Sequence, residues 1–251
     1  MPSYSKQKNP DGIEIVFDDK YHSYTSFINN QKISYISGTT FIHKFFPKFD
    51  PDGLILKRCA VKEGITPEEL QKRWKEKGTI AAEFGTKIHE TVEDVLLGNM
   101  LRNKPFNDKE RNTMAVAIKL ANKIKDRSEI IGIERITFDP IIKLAGTMDL
   151  LIRSKKTGEL WILDHKTNAS IDRENKWNEF AFKPIEHISN INYSHYTLQL
   201  NLYENLLRRS HCVDDKDIIK RAIFHIQETG VTTYQLDSWQ KEINDMIATI
   251  K

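Results

Sequence analysis

Cysteine is scarce in this chain. Its 251 residues include only Cys59 and Cys212, far apart and without a C-x-x-C neighbour, so thiolates cannot assemble a zinc site or an iron-sulfur cluster. Long apolar runs are missing too. None approaches the roughly 18 residues of a membrane span, and no membrane partner is expected. The stretch Met1 to Asp19 holds acids and no apolar segment of presequence type, which argues for a cytoplasmic protein. Nor does one sign of charge dominate, since 38 Lys and Arg stand against 35 Asp and Glu for a net charge of +3. That balance neither requires nor excludes a polyanionic partner. What is present is ordinary for a globular chain, with 39% hydrophobic and 29% charged residues, and the length suits one well-packed domain.

The runs Ile13 to Phe17, Tyr24 to Ile28 and Lys32 to Ile36 are β-rich and separated by Asp-Asp-Lys and Asn-Asn turn material, which predicts an N-terminal meander over 1–53. A helical region is expected over 54–128. Within it Thr66, Pro67, Glu68 and Glu69 form an N-cap sequence that opens a helix toward Lys77. Ala81, Phe84, Ile88, Val92 and Val95 recur at three and four residues, so a second helix runs to about Leu97, where Gly98-Asn99 stops it. Asn107 with Glu110 resembles a capping box for a third. Segments 130–138, 141–153 and 160–167 then read as neighbouring strands. A helix over 194–209, strands over 222–226 and 231–236 and a helix from Ser238 complete the chain. This mixed order predicts α/β or α+β, with the core over 129–251.

The candidate chemistry lies on the apolar strand Leu160 to Thr167. Its period of two puts Asp164 and Lys166 on one side and His165 on the other. D-x-K also occurs as Asp18-Asp19-Lys20 and Asp214-Asp215-Lys216, but those are polar contexts. Gly146-Thr147-Met148-Asp149 places another acid on a neighbouring strand, where pairing would bring two carboxylates together. They would repel unless a cation lay between them. A strand-end salt bridge from Lys166 to Asp149 or Asp164 is the plain alternative for the same residues. Upstream, Gly85, His89 and Glu93 share one row of a helix; downstream, Gln199 and Tyr203 share a helix face.

These features occur in one order: Gly85-Thr86-Lys87-Ile88-His89, then Gly146 to Asp149, then Asp164-His165-Lys166, then Gln199 to Tyr203. The order resembles the RecB-like branch of the PD-(D/E)XK nucleases, which includes bacterial recombination nucleases, CRISPR adaptation nucleases and the mitochondrial genome maintenance exonuclease. Tyr21-His22-Ser23-Tyr24 and Ile36-Ser37-Gly38-Thr39-Thr40 look like elements that precede the core in the mitochondrial enzyme and in phage exonucleases. The resemblance implies an α/β fold with a restriction-endonuclease-like core, a mixed central sheet flanked by helices, carrying the meander and a helical insertion in one nuclease domain over 1–251. It implies a metal-dependent DNA exonuclease acting on single strands or DNA ends, in the cytoplasm of a bacterium or of a virus's host, beside replication or recombination proteins. An endonuclease on the same core, or a binding module that has lost its chemistry, are the competing readings.

In that frame Asp149 and Asp164 are anionic ligands for Mg²⁺ or Mn²⁺, joined by His89 and the backbone carbonyl of His165. Lys166 would act on the attacking water and the scissile phosphate. Gln199 and Tyr203 are candidates to orient the nucleotide or Lys166, with an ordinary amphipathic helix as the alternative. Glu93 and Glu134 are candidate outer carboxylates. Ser37, Thr39, Trp74 and Trp177 are candidate substrate contacts, the tryptophans by stacking on unpaired bases. The iron-sulfur cysteines of some branches have no counterpart here. A strand-threading arch is expected from the helices around Trp74 and from the polar segment 172–193.

Overall fold

A computed structural model describes residues 4–48 and 53–250; residues 1–3 and 49–52, which fall within the expected meander, lie outside it, as does Lys251. The chain opens with four strands, β1 (Tyr4–Lys8), β2 (Glu14–Asp18), β3 (Ser23–Ile28) and β4 (Gln31–Ser37), all antiparallel neighbours. The β3–β4 hairpin turns on Asn29 and Asn30, at φ 51° and 64°. Two consecutive left-handed residues give a twist that matches the strands, and Asn tolerates them. The meander therefore forms where expected, with β1 as a further strand. It is followed by the short helix α1 (Gly38–His43).

Helix α2 (Leu54–Glu63) ends at Gly64 in the left-handed region. The two helices expected from Thr66 to Leu97 are one, α3 (Pro67–Leu97), 31 residues long. Its start is the expected N-cap at Thr66, closed as a capping box with Thr66 and Glu69 bonded reciprocally, and its end is Gly98 at φ 75°. The interruption near Gly78 fails to appear because a single glycine costs only about 1 kcal/mol. Helix α4 (Asp108–Arg127) is capped by the Asn107 side chain on the Glu110 amide. The Glu110 carboxylate does not return the bond to Asn107; it accepts from the Phe106 amide and Lys87.

Strands β5 (Ser128–Asp139), β6 (Leu144–Ser154) and β7 (Leu160–Lys166) pair antiparallel. After α5 (Asn192–Arg209), strand β8 (Ile219–Gln227) returns parallel to β7, and β9 (Gly230–Leu236) closes that side before α6 (Gln240–Ile247). Parallel pairing of β4 with β6 at Ile36↔Leu144 and Ser37↔Ala145 joins the meander to the core, so nine strands form one mixed sheet. One face carries Ile162 and Ile223 under Leu200, Tyr203 and Leu207 of α5. The other carries Leu150, Leu163 and Ala222 under Ile88, Val92 and Ala117 of α3 and α4. This is the α/β restriction-endonuclease-like architecture of a mixed sheet between helices.

The segment 172–193 is not a free arch. Its Ala181, Ile185 and Ile188 are buried against α1, α5 and α6, because an apolar residue recurs often enough there to seat the loop on the core. Among the described residues no helix is long and apolar enough to cross a membrane.

Candidate active site

The end of β7 brings the D-x-K residues to the rim of the sheet. Leu150 pairs with Leu163, so the next step of the ladder sets Asp149 toward Asp164. Asp149 Oδ2 accepts the His165 amide at 2.8 Å. Asp164 is buried, and its Oδ2 lies 2.5 Å from Lys166 Nζ. The plain salt bridge considered from the sequence therefore exists, to Asp164. Lys166 also lies over the Tyr196 ring, 4.8 Å from its centroid, and the Tyr196 hydroxyl accepts from Asn168.

Helix α3 delivers His89 to the same point. Gly85, one turn earlier, allows the approach: a Cβ there would stand 3.3 Å from Thr167 Oγ1 at the end of β7. His89 Nε2 is 2.7 Å from the His165 carbonyl oxygen, and its Nδ1 is 3.3 Å from Asp149 Oδ2. The His165 ring stacks on Phe224 of β8, on the face of Leu163 and away from Asp164, as alternation predicts. Its Nδ1 nevertheless lies 3.4 Å from Asp149 Oδ2, so the expectation that the ring stands away from both acids fails for Asp149. His89, Asp149 and His165 each offer a ligand atom within 4.8 Å of the others. The His165 imidazole is thus a candidate ligand beside its carbonyl.

The tail of the motif order packs on its head. Tyr203 lies against Gly146, where a Cβ would come within 2.3 Å of Tyr203 Cε1. Glycine is needed there for close approach. Gln199 Nε2 donates to the Tyr203 hydroxyl at 3.0 Å, and Tyr24 of the meander bonds Thr147 at 2.9 Å. Ser37 caps α1, its Oγ accepting the Thr40 amide and standing 3.3 Å from Thr39 Oγ1.

Ser37, Thr39, His89, Glu93, Gln199 and Tyr203 line one cleft of about 720 Å³. Glu134 lines it too, between the pairs Ile133↔Leu150 and Arg135↔Met148 and so opposite Asp149, at φ 46°. Glu93 is held by Arg102 at 3.0 Å, and Arg102 is anchored on buried Asp94 at 2.7 Å. The two tryptophans are not brought to this cleft: Trp74 packs with Leu56, Ala60 and Leu70 of the α2–α3 corner, and Trp177 is 84% exposed on the loop after β7.

Electrostatics fit a cation here. Burial pushes the Asp149 carboxyl up, but His89, the His165 hydrogen bond and Lys166 outweigh it and hold it below the ordinary range. Asp164 is raised by burial and by Asp149, against Lys166. Glu134 is pushed up to about 8 by the dense cleft wall and by Asp149, Glu93 and Asp164, although solvent reaches its side chain. Burial opposes the Lys166 charge, yet Asp164 and Asp149 raise its pKa and keep it an ammonium. One ammonium serves three crowded carboxylates. With Nε2–H donating to the His165 carbonyl, His89 Nδ1 turns toward Asp149 Oδ2, an arrangement that calls for a proton or a cation between them. Carboxylates, a carbonyl and imidazoles suit Mg²⁺ or Mn²⁺.

No curated protein matches the chain. The family model of the PD-(D/E)XK nuclease superfamily matches residues 58–251, which contain every element of the cluster around Asp149 and Lys166. By that match, and with the mixed sheet and metal-ready cluster behind it, the chain belongs to the PD-(D/E)XK nuclease superfamily.

Proposed function

We propose that this nuclease is a DNA exonuclease of the RecB-like branch, acting on single strands or DNA ends in replication, recombination or phage DNA processing, in the cytoplasm. The observation that carries the reading is the convergence of α3, β6 and β7 on His89, Asp149, Asp164 and Lys166, with His89 on the wall of one cleft. At about 720 Å³, that cleft is the size of a small-ligand site. It suits an unpaired end better than a double helix.

Asp149, Asp164, His89 and the His165 carbonyl or ring would hold the ion. Bound Mg²⁺ or Mn²⁺ would supply Lewis acidity, making hydroxide available at neutral pH and relieving phosphate charge. The Lys166 ammonium orients the attacking water and offsets charge that builds on the scissile phosphate. Tyr203 and Gln199, bonded to each other, fix the wall beside Gly146, while Glu93 and Glu134 bound the cleft as outer carboxylates. Ser37 and Thr39 offer hydroxyls to the substrate.

Linear and covalently closed circular DNA incubated with Mg²⁺ or Mn²⁺ test the proposal. Digestion of the linear form alone is expected. Cleavage of the closed circle would replace the reading with an endonuclease, and no cleavage of any DNA would leave a binding module.

A further inference from the structure

A second cavity, of about 760 Å³, opens on the α3/α4 face of the sheet, beyond the end of α4. Its floor includes Trp161, Leu163 and Phe224, and its rim is cationic, with Arg127, Lys155 and Lys156. No acid lines it. Lys155 is committed to the fold, donating to the carbonyls of Lys125 and Asp126 at the end of α4. Arg127 and Lys156 are exposed, and among the described residues neither side chain makes an ion pair or hydrogen bond. The Trp161 indole N–H is likewise without a partner, and the ring is only partly buried. The trough thus offers flat aromatic surface, an unused donor and two unused cations. Outside it the exposed face of α4 adds Lys119 and Lys123. Asp126, Glu129 and Glu159 are the acids near it in sequence, Glu159 pairing with Lys220, and none lines the trough.

Resting on the nuclease reading above, we propose that this trough is a second nucleic-acid site, which holds an unpaired nucleotide of a strand away from the catalytic cleft. A base would lie on Trp161 and Phe224, and the flanking phosphates would meet Arg127 and Lys156. Charge complementarity selects a polyanion, and two aromatic side chains in an otherwise aliphatic floor favour planar bases, which stack whatever their sequence. The surface asks for no base-specific contact.

The test uses a fluorescein-labelled single-stranded oligonucleotide and the full chain, with binding measured in EDTA so that turnover plays no part. The variants are Trp161→Ala and the surface double change Arg127→Glu with Lys156→Glu, the second guarding against a folding defect in the first. Each should weaken binding by about tenfold or more. The double variant should also flatten the salt dependence by about 1.4 in the log–log slope, at about 0.7 per phosphate contact. Hydrolysis of bis(p-nitrophenyl) phosphate, too small to span both sites, should persist in both. Parental affinity and slope in the folded double variant would overturn the proposal. So would an acidic phenylalanine-containing peptide that binds the parent more tightly than the oligonucleotide and loses binding in the same variants. A parent that binds through the trough but cuts no DNA would support this site and sink the nuclease reading alone.

Discussion

At the scale of single residues, Lys166 and Asp164 form one ion pair with two different duties. Lys166→Ala should remove a contact that matters most when charge builds on the phosphate, so the rate should fall by roughly two orders of magnitude or more with DNA affinity little changed. Asp164→Asn should instead move the midpoint of a Mg²⁺ or Mn²⁺ titration to higher concentration, since a neutral amide is the poorer ligand. A folded Lys166→Ala variant that cuts DNA at the parental rate would refute the assignment. His195 concerns stability, not catalysis. Its ring packs 4.0 Å from Phe46, its Nε2 bonds Asn190 at 2.8 Å, and its Nδ1 is buried without a partner. Burial, with His43 beside it, lowers its pKa from 6.5 to about 4. The folded protein therefore resists a proton that the unfolded chain accepts. Stability should fall as pH drops from 6.5 toward about 4, and His195→Gln should shrink that loss in urea unfolding measured across the range. An identical pH profile in the variant would contradict this account.

The element that departs most from its sequence pattern is α3. Its last three turns are pinned by Ile88, Val92 and Leu96 in the core, and its first turns pack on α2 through Leu70, while residues between are largely exposed. At 31 residues it is roughly 46 Å long, and its unbroken run sets Gly85 and His89 against the end of β7. Gly78 sits in the exposed stretch, and a Cβ added there would meet nothing within 4 Å. Gly78→Ala should therefore stabilise the protein by up to about 1 kcal/mol through helix propensity and a less free unfolded chain. A loop between two helices would show no such gain, and chemical denaturation can read the difference.

Across the whole molecule, α5 is the strut that ties the cleft to the sheet and to α6. Glu204 on α5 is buried with Arg221 of β8, and it also accepts from Arg208 at 3.1 Å and Gln240 at 3.3 Å. Glu204→Ala would leave the Arg221 guanidinium buried and unpaired, at a cost of about 3 to 5 kcal/mol. Adding Arg221→Met should recover much of that loss, because the stranded charge is then gone. A Glu204→Ala loss below about 1 kcal/mol would show that water reaches the pair. The same strut carries Gln199 and Tyr203, so a less stable α5 should also loosen the cleft wall at Gly146.

Period and capping chemistry were legible without coordinates, because they act within a few residues. Thr66 and Glu69, Asn107, Gly98 and the Asn29-Asn30 turn each mark an element end, and apolar spacing located the strands that carry Asp149 and Asp164. The motif order likewise pointed to the cluster on β6, β7 and α3. What tertiary structure decided were distances between segments far apart in the chain. Only packing shows that Tyr203 needs Gly146 bare, that the His165 ring comes within 3.4 Å of Asp149, and that Glu134 faces Asp149 across β5 and β6. Packing also withdrew Trp74 to the α2–α3 corner and seated 181–188 on the core. Local patterns specify which face a side chain takes, but the contact it makes depends on where another segment's surface comes to rest.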